Sequence, residues 1–235
     1  MMKIEGFENT DEPFCTVNRV EIDGIKIAEV YWHAVEFSEL DFVLIFFGYN
    51  KENQKSITGL IEEYHVKQAN CIIGCIDIAG EIIDFTDNEY EAFSSLMKQF
   101  DLHLDSASSG DFENLVEFCT STKTGCPTIT LSDFRSESGT EIHFVTEESS
   151  SVRELKRLIS ESCKKLFSHR EQKFPKVMIA FLTNGYELSL DEIQELFDSL
   201  DDFITVDSCM MVLNNKISGQ NKEVIKVSLI FCEEG

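Results

Sequence analysis

Two runs of six consecutive apolar residues, Phe42-Val43-Leu44-Ile45-Phe46-Phe47 and Val177-Met178-Ile179-Ala180-Phe181-Leu182, restrict the fold of this chain more than any other feature. Successive side chains of a strand point to opposite faces, so a run that is apolar at every position must be covered on both sides. Layered folds, with helices or a second sheet against each face, meet that demand. The first run stops at Gly48. A polar loop over residues 49–55 follows, then a helical stripe over residues 56–65 with Ile57, Leu60, Ile61 and Tyr64 on one face, then a third buried run at residues 71–76. Strand, helix and strand in so short a span predict a right-handed parallel crossover, and hence an α/β layer rather than a β-sandwich.

The remaining elements come from turn and cap chemistry. Asp23-Gly24 inside residues 17–27 favours a hairpin, and residues 28–35, with the only Trp at Trp32, continue extended. Gly80 and Ile82-Ile83 allow a further short strand. Thr86-Asp87-Asn88-Glu89 has the reciprocal spacing of a capping box and opens a helix to Phe100, with Phe93, Leu96, Met97 and Phe100 inward. The Ser-rich residues 105–110 read as a linker, and residues 112–119 as a short helix stopped by Gly125-Cys126-Pro127. Ser189-Leu190-Asp191-Glu192 repeats the cap and starts a helix whose Leu190, Ile193, Leu196, Phe197 and Leu200 form one stripe. Residues 204–213 and 224–232, parted by the polar segment 214–222, read as an antiparallel hairpin with a long loop.

Composition narrows the function. A net charge of −23, from 43 acidic against 20 basic side chains, argues against a nucleic-acid backbone or an anionic membrane surface as partner. A basic partner fits better. The eight Cys are scattered, without a C-x-x-C, and most lie in apolar patterns, so they read as reduced core thiols; Cys71 and Cys75, on one face of a strand, read as packing residues. The five His show no i, i+4 pair and no H-E-x-x-H, and no P-loop, G-x-G-x-x-G or G-x-S-x-G is present. The acidic clusters Glu147-Glu148, residues 198–202 and Glu233-Glu234 read as solvated faces. No secretory signal and no membrane-spanning apolar run are evident, which gives the expectation of a cytoplasmic protein without membrane insertion.

Taken in order, the second half resembles the C-terminal domain of FtsZ, the bacterial relative of tubulin. The features that carry the likeness are the strand at residues 177–182, the loop Asn184-Gly185, the helix start Leu188-Ser189-Leu190-Asp191-Glu192, Asp207 in its strand and the last strand at residues 224–230. Upstream, residues 151–167 match the preceding helix, residues 140–146 the preceding strand, and residues 129–135 lie where the family carries its catalytic loop. The resemblance implies an α/β fold in which a shortened FtsZ/tubulin-like N-terminal layer precedes a two-layer C-terminal domain with a mixed sheet and two helices. It divides the chain into a flexible tail at residues 1–13, a degenerate nucleotide-domain-like region at 14–136 and an FtsZ C-terminal-like domain at 137–235.

Carried onto this sequence, the family's nucleotide chemistry is interrupted at three places. The phosphate loop after the strand at residues 42–47, glycine-rich in the family, keeps Gly48 alone; Lys51, Lys55 and Ser56 at the following helix start are what could still attract an anion. The first nucleotide loop has no counterpart, since Val17-Asn18-Arg19 resembles the start of the helix after that loop but no glycine lies between Gly6 and Gly24. In the catalytic loop the asparagine position is Thr130, the acidic positions are Ser132 and Arg135, and Asp133 is recovered only by a one-residue slide. Threonine and serine supply no carboxylate to orient an attacking water. The resemblance therefore implies a non-catalytic, pseudo-GTPase relative without a cofactor. Such a protein would act in cell division or the cytoskeleton as an interaction or regulatory module, with FtsZ or a copy of itself as protein partner, by self-assembly or by capping a filament. Two other readings stay open: a filament-forming GTPase that keeps GTP in an altered loop, and an acidic inhibitor of a basic surface.

Overall fold

The computed structural model describes residues 2–3, 14–33, 38–50, 53–77, 86–121, 139–168, 173–174, 176–184, 188–205, 209–214 and 223–232. The chain forms two compact units, divided between Ile142 and His143. The expected strand at Ile82-Ile83, the stop at Gly125-Cys126-Pro127 and the candidate loop residues Lys51, Thr130, Ser132, Asp133 and Arg135 lie outside the described residues.

The first unit is a sheet in the order β1 (Met2–Lys3), β2 (Phe14–Ile22), β3 (Ile25–His33), β4 (Ser38–Gly48), β5 (Cys71–Asp77), β6 (Leu102–Leu104) and the start of β7 (Thr140–Ser149). Strands β1 to β4 are antiparallel to their neighbours, whereas β4, β5, β6 and β7 are parallel. Asp23 and Gly24 turn β2 into β3 with φ of 51° and 80°, the left-handed pair that a two-residue type I′ turn requires. Residues Val17-Asn18-Arg19 are thus in strand β2. The pairing of Val17 with Val30 and Arg19 with Ala28 fixes them in the hairpin that Asp23-Gly24 predicts, so their likeness to the start of the family's helix does not extend to structure.

Strand β4 is buried from Leu40 through Phe47, as its unbroken apolar run predicts. One face, with Val43, Ile45 and Phe47 beside Ile72 and Ile76, packs against Ile57, Ile61 and Tyr64 of α1 (Gln54–Val66) and Leu96 and Met97 of α2 (Asp87–Met97). The opposite face carries Phe46, whose ring lies 5.5 Å from that of Phe112 on α3 (Ser109–Ser121). Cys71, Cys75 and Cys119 are fully buried, and burial pushes the Cys75 and Cys119 thiols well above the usual range, so they are protonated packing groups. The capping box at Thr86 and Glu89 starts α2 as expected, but the helix ends at Met97, and Phe100 then folds under to fill the space a side chain on Gly74 would take.

Residues 105–110 are not a linker. They hold a tight turn after β6 and then the start of α3, where Ser108 and Asp111 form a capping box: Asp111 Oδ2 accepts from Ser108 N at 2.9 Å and Ser108 Oγ accepts from Asp111 N at 3.1 Å. Strand β6, three residues long with His103 at its centre, is an element the sequence did not announce.

A buried carboxylate ties the hairpin to α1. Glu29, 5% exposed, accepts from Tyr64 Oη at 2.9 Å, from Asn18 Nδ2 at 2.7 Å and from Tyr31 Oη at 3.3 Å, with Lys67 Nζ 3.7 Å away. Burial, and then the hydrogen bond and charge of Glu29, raise the Tyr64 phenol above its ordinary value.

The second unit has the strand order β7-β10-β8-β9, with β8 (Lys176–Asn184), β9 (Cys209–Asn214) and β10 (Val224–Cys232). Helices α4 (Val152–Leu166) and α5 (Leu190–Asp198) cover one face, and their Leu155, Ile159, Ile193 and Leu196 meet Val177, Ile179, Phe181, Val227 and Leu229. A knot of rings closes one end, Phe167 lying 4.6 Å from Phe174 and 4.9 Å from Phe231. The expected hairpin of residues 204–213 with 224–232 is corrected: β9 pairs parallel with β8 and β10 pairs antiparallel with it, so the two run oppositely but β8 lies between them. A strand apolar on both faces also needs both backbone edges paired, and placing β8 in the middle satisfies them. Ile204 makes only an isolated bridge with Phe174. The Ser189 capping box forms, yet Leu190 is 84% exposed: at the first helical position it lies off the stripe that Ile193 and Leu196 bury.

Two outcomes follow for stability. Glu29→Ala strands the Tyr64 and Asn18 donors and lowers unfolding free energy in urea by about 2–3 kcal/mol. Because the Tyr64 value is raised in the folded state, its contribution is complete below the ordinary tyrosine value near 10 and is lost as pH climbs above it. Melts between pH 8 and 11 read that loss, and Tyr64→Phe flattens it. In thiol titration of the native protein, Cys15, Cys71, Cys75, Cys119, Cys163 and Cys232 react only on unfolding, since all six are buried.

Candidate functional site

In open α/β sheets, ligands sit beyond the carboxyl ends of the parallel strands, where helix N-termini and loop amides gather. Here those ends are Gly48 on β4, Asp77 on β5 and Leu104 on β6. Gly48 stands opposite Asp77 in the parallel register, so the two loops begin side by side.

The loop after β4 closes on itself. Asn53 N donates to Asn50 Oδ1 at 2.8 Å, Asn50 N donates to Asn53 Oδ1 at 3.2 Å, and Asn53 Nδ2 donates to the Gly48 carbonyl at 2.5 Å. The backbone N–H groups of Asn50 and Asn53, which in an open glycine-rich loop would face a phosphate, are therefore spent on side chains. A Cβ on Gly48 would meet nothing nearer than the Asp77 carbonyl at 4.0 Å, so protein packing does not demand glycine there. Helix α1 begins at Gln54, two residues before the expected start, and places Lys55 and Ser56, both exposed, in a first turn that holds no acidic residue.

Further groups border this end of the sheet that were not among the candidate site residues. Because Lys26 pairs with Phe46, the Asp23-Gly24 turn falls at the carboxyl end of β4, where a carboxylate and a tight hairpin stand in place of a glycine-rich loop. Lys26 spans to α3: Nζ donates to Ser109 Oγ at 3.1 Å and sits 5.4 Å over the Phe46 ring. The N-terminus of α3 is closed by its own Ser108–Asp111 box. On β6, His103 bridges two acceptors, with Nδ1 3.1 Å from Asp105 Oδ1 and Nε2 3.1 Å from the Gly139 carbonyl.

Of the sequence-selected residues, Gly48, Lys55 and Ser56 are brought together at this loop, and Lys51 between them lies outside the described residues. Thr130, Ser132, Asp133 and Arg135 likewise have no described position. The residues that decide the loop's conformation are Asn50 and Asn53, recognisable in retrospect as an N-x-x-N spacing in which each side chain can reach the other's amide. Among the described residues, no group of three or more His, Cys, Asp or Glu is placed to hold a metal ion, and no helix is long and apolar enough to cross a membrane.

Asn53→Ala removes two of these three loop hydrogen bonds and is expected to cost about 1–2 kcal/mol in urea unfolding.

The fold with this edge is that of FtsZ and tubulin. An FtsZ dimer from M. jannaschii, described as empty, superposes with a TM-score of 0.56 at 13% identity over 83% of this chain and 64% of its own. A GTPγS-form protofilament of TubZ from Bacillus thuringiensis serovar israelensis gives 0.53 at 10% identity, over 82% of this chain and 60% of its own. CetZ1 from Haloferax volcanii, as a GDP-bound monomer, gives 0.50 at 10% identity, over 82% and 64%. The chain therefore spans less than two thirds of the length of each of these proteins. No protein-family model matches the sequence, and no curated protein does.

Proposed function

We propose that this chain is a non-catalytic FtsZ/tubulin-like protein that works by association, joining or capping a cell-division or cytoskeletal filament built from FtsZ or from copies of itself, without binding or hydrolysing GTP. The observation that supports this reading most is the self-closed loop after β4, in which Asn50 and Asn53 take up the amides that a phosphate would need. The hairpin turn at Asp23-Gly24 supports it further, since it brings a negative charge to the edge where the triphosphate would lie. The dimer and protofilament in which the FtsZ and TubZ structures were determined give association as the property to look for.

A second reading, a filament-forming GTPase with an altered loop, draws on one observation: the first turn of α1 carries Lys55 and no acidic residue, which suits an anion at that helix start. The two separate in one titration. Fluorescent GTP and GDP, with magnesium and then with EDTA at low salt, are expected to show no saturable binding to the protein at high concentration. Saturable binding that is lost in Lys55→Ala would overturn the proposal in favour of the GTPase. If no binding is seen, light scattering and pelleting of FtsZ with added protein are expected to show altered polymer mass; an unchanged polymer, together with no pelleting of the protein itself, would sink the association reading.

A further inference from the structure

Helix α4 is an electrostatic exception in this acidic protein. It carries five basic side chains, Arg153, Lys156, Arg157, Lys164 and Lys165, against Glu154 and Glu161. Helices α2, α3 and α5 carry three, three and four carboxylates and no Lys or Arg. Arg153, Lys156, Ser160 and Lys164 follow one another at helical spacing as a stripe along one flank of α4, beside its buried face, over about 16 Å. Beside it runs an open groove of about 850 Å³ whose other wall is the C-terminal end of α5, with Asp198, Ser199 and Asp202. Arg157 is paired there with Glu154 and Glu161, both at 2.6 Å. Among the described residues, Arg153, Lys156 and Lys164 have no hydrogen-bond or ion-pair partner, and neither has Asp202.

This groove has a basic wall and an acidic wall. A simple anion entering it meets Asp198 and Asp202, and a simple cation meets the α4 stripe, so neither is matched to it. What matches is a surface with the same two rows in reverse order. A second copy of the chain, turned by a two-fold axis across the groove, presents that surface: its acidic row lies on the first copy's basic row and the reverse, each contact made twice, which is the condition for an isologous interface.

We propose that the α4–α5 groove pairs with its own copy to form a two-fold dimer. The inference does not rest on the nucleotide reading above, because it uses only residues of the second unit and holds whether or not GTP binds. Charge also sets the conditions. The net charge of −23 opposes any self-association at very low salt, where the screening length reaches roughly 30 Å. At about 0.15 M that repulsion is cut off beyond roughly 8 Å while direct ion pairs persist, and at about 1 M the pairs are screened as well. Pairing is therefore strongest near physiological salt and falls on either side.

The test is sedimentation velocity on the full chain and two charge reversals, Lys156→Glu with Lys164→Glu, and Asp198→Lys with Asp202→Lys. All four positions line the solvent-facing groove, and circular dichroism checks that both variants keep the fold. Wild type is expected to dimerise near 0.15 M salt and to dissociate toward 1 M. Each reversal alone places like charges opposite one another and weakens pairing by more than about tenfold. The two reversals mixed in equal amounts pair again, since each then meets its complement. A wild type that stays monomeric overturns the proposal, as does a dimer indifferent to both reversals or a mixture that fails to pair. A monomer whose α4 stripe instead binds a poly-glutamate peptide overturns it as well, and assigns the stripe to an acidic partner.

Discussion

Strand β4 is the constraint from which the first unit follows. It is apolar at every position from Phe42 to Phe47, so it must be covered on both faces, and its backbone must be paired on both edges. On one edge it takes β5 through a helical crossover, in parallel; on the other it takes β3 of a two-residue hairpin, antiparallel. Burying a strand this way removes roughly 1.5–3 kcal/mol of exposed apolar surface per large side chain, and no arrangement that leaves one face open recovers that. The helices α1, α2 and α3 are where they are because β4 and its neighbours need lids.

The choice of an antiparallel neighbour also decides the chemistry at the carboxyl edge. A parallel neighbour would end at the same side as β4 and contribute a second loop followed by a helix N-terminus, the combination that favours phosphate. An antiparallel neighbour instead begins there, and it reaches that edge through a turn. In this chain the turn is Asp23-Gly24, with the geometry and charge of a hairpin rather than of an anion cradle. The same economy of local hydrogen bonds is seen at Asn50 and Asn53, and again at Ser108 and Asp111, where side chains satisfy the amides that would otherwise be open to a ligand. Lys55 and Ser56 remain at the start of α1, where the N-cap Asn53 makes no side-chain hydrogen bond to the helix.

What could be read from the sequence was whatever a single segment determines by itself. The runs at residues 42–47, 71–76 and 177–182 gave buried strands because six apolar positions leave no other choice, and Thr86 and Ser189 marked helix starts. The misreadings arose where a partner decides. Strand β6 is three residues long and centred on a histidine, so it exists only because Ile73 and Thr140 flank Leu102. The adjacency of β9 and β10 depended on β8 taking the place between them, for which the nine-residue polar connection, far longer than a hairpin needs, was the available sign. The Ser108–Asp111 box had a readable S-x-x-D spacing that its Ser-rich surroundings disguised as a linker. In the candidate site, Gly48, Lys55 and Ser56 could be chosen by position and Asp23-Gly24 read as a turn, but that this turn and Lys26 reach the carboxyl end of β4 follows from strand register, which no linear motif displays.

These two features, a carboxyl edge occupied by local contacts and a groove that is its own electrostatic complement, bear differently on assembly. Head-to-tail stacking is heterologous: it needs two different competent faces on every subunit, and a subunit with one impaired face can join such a polymer only at an end. Isologous pairing needs a single patch that matches itself, and it closes after two copies. On the readings proposed above, a chain whose carboxyl edge holds asparagine, aspartate and a hairpin would lose open-ended stacking and still keep a self-contact through α4 and α5. If α4 and α5 pair as proposed, that contact closes after two copies, so any open-ended growth of this chain would need a second, different interface.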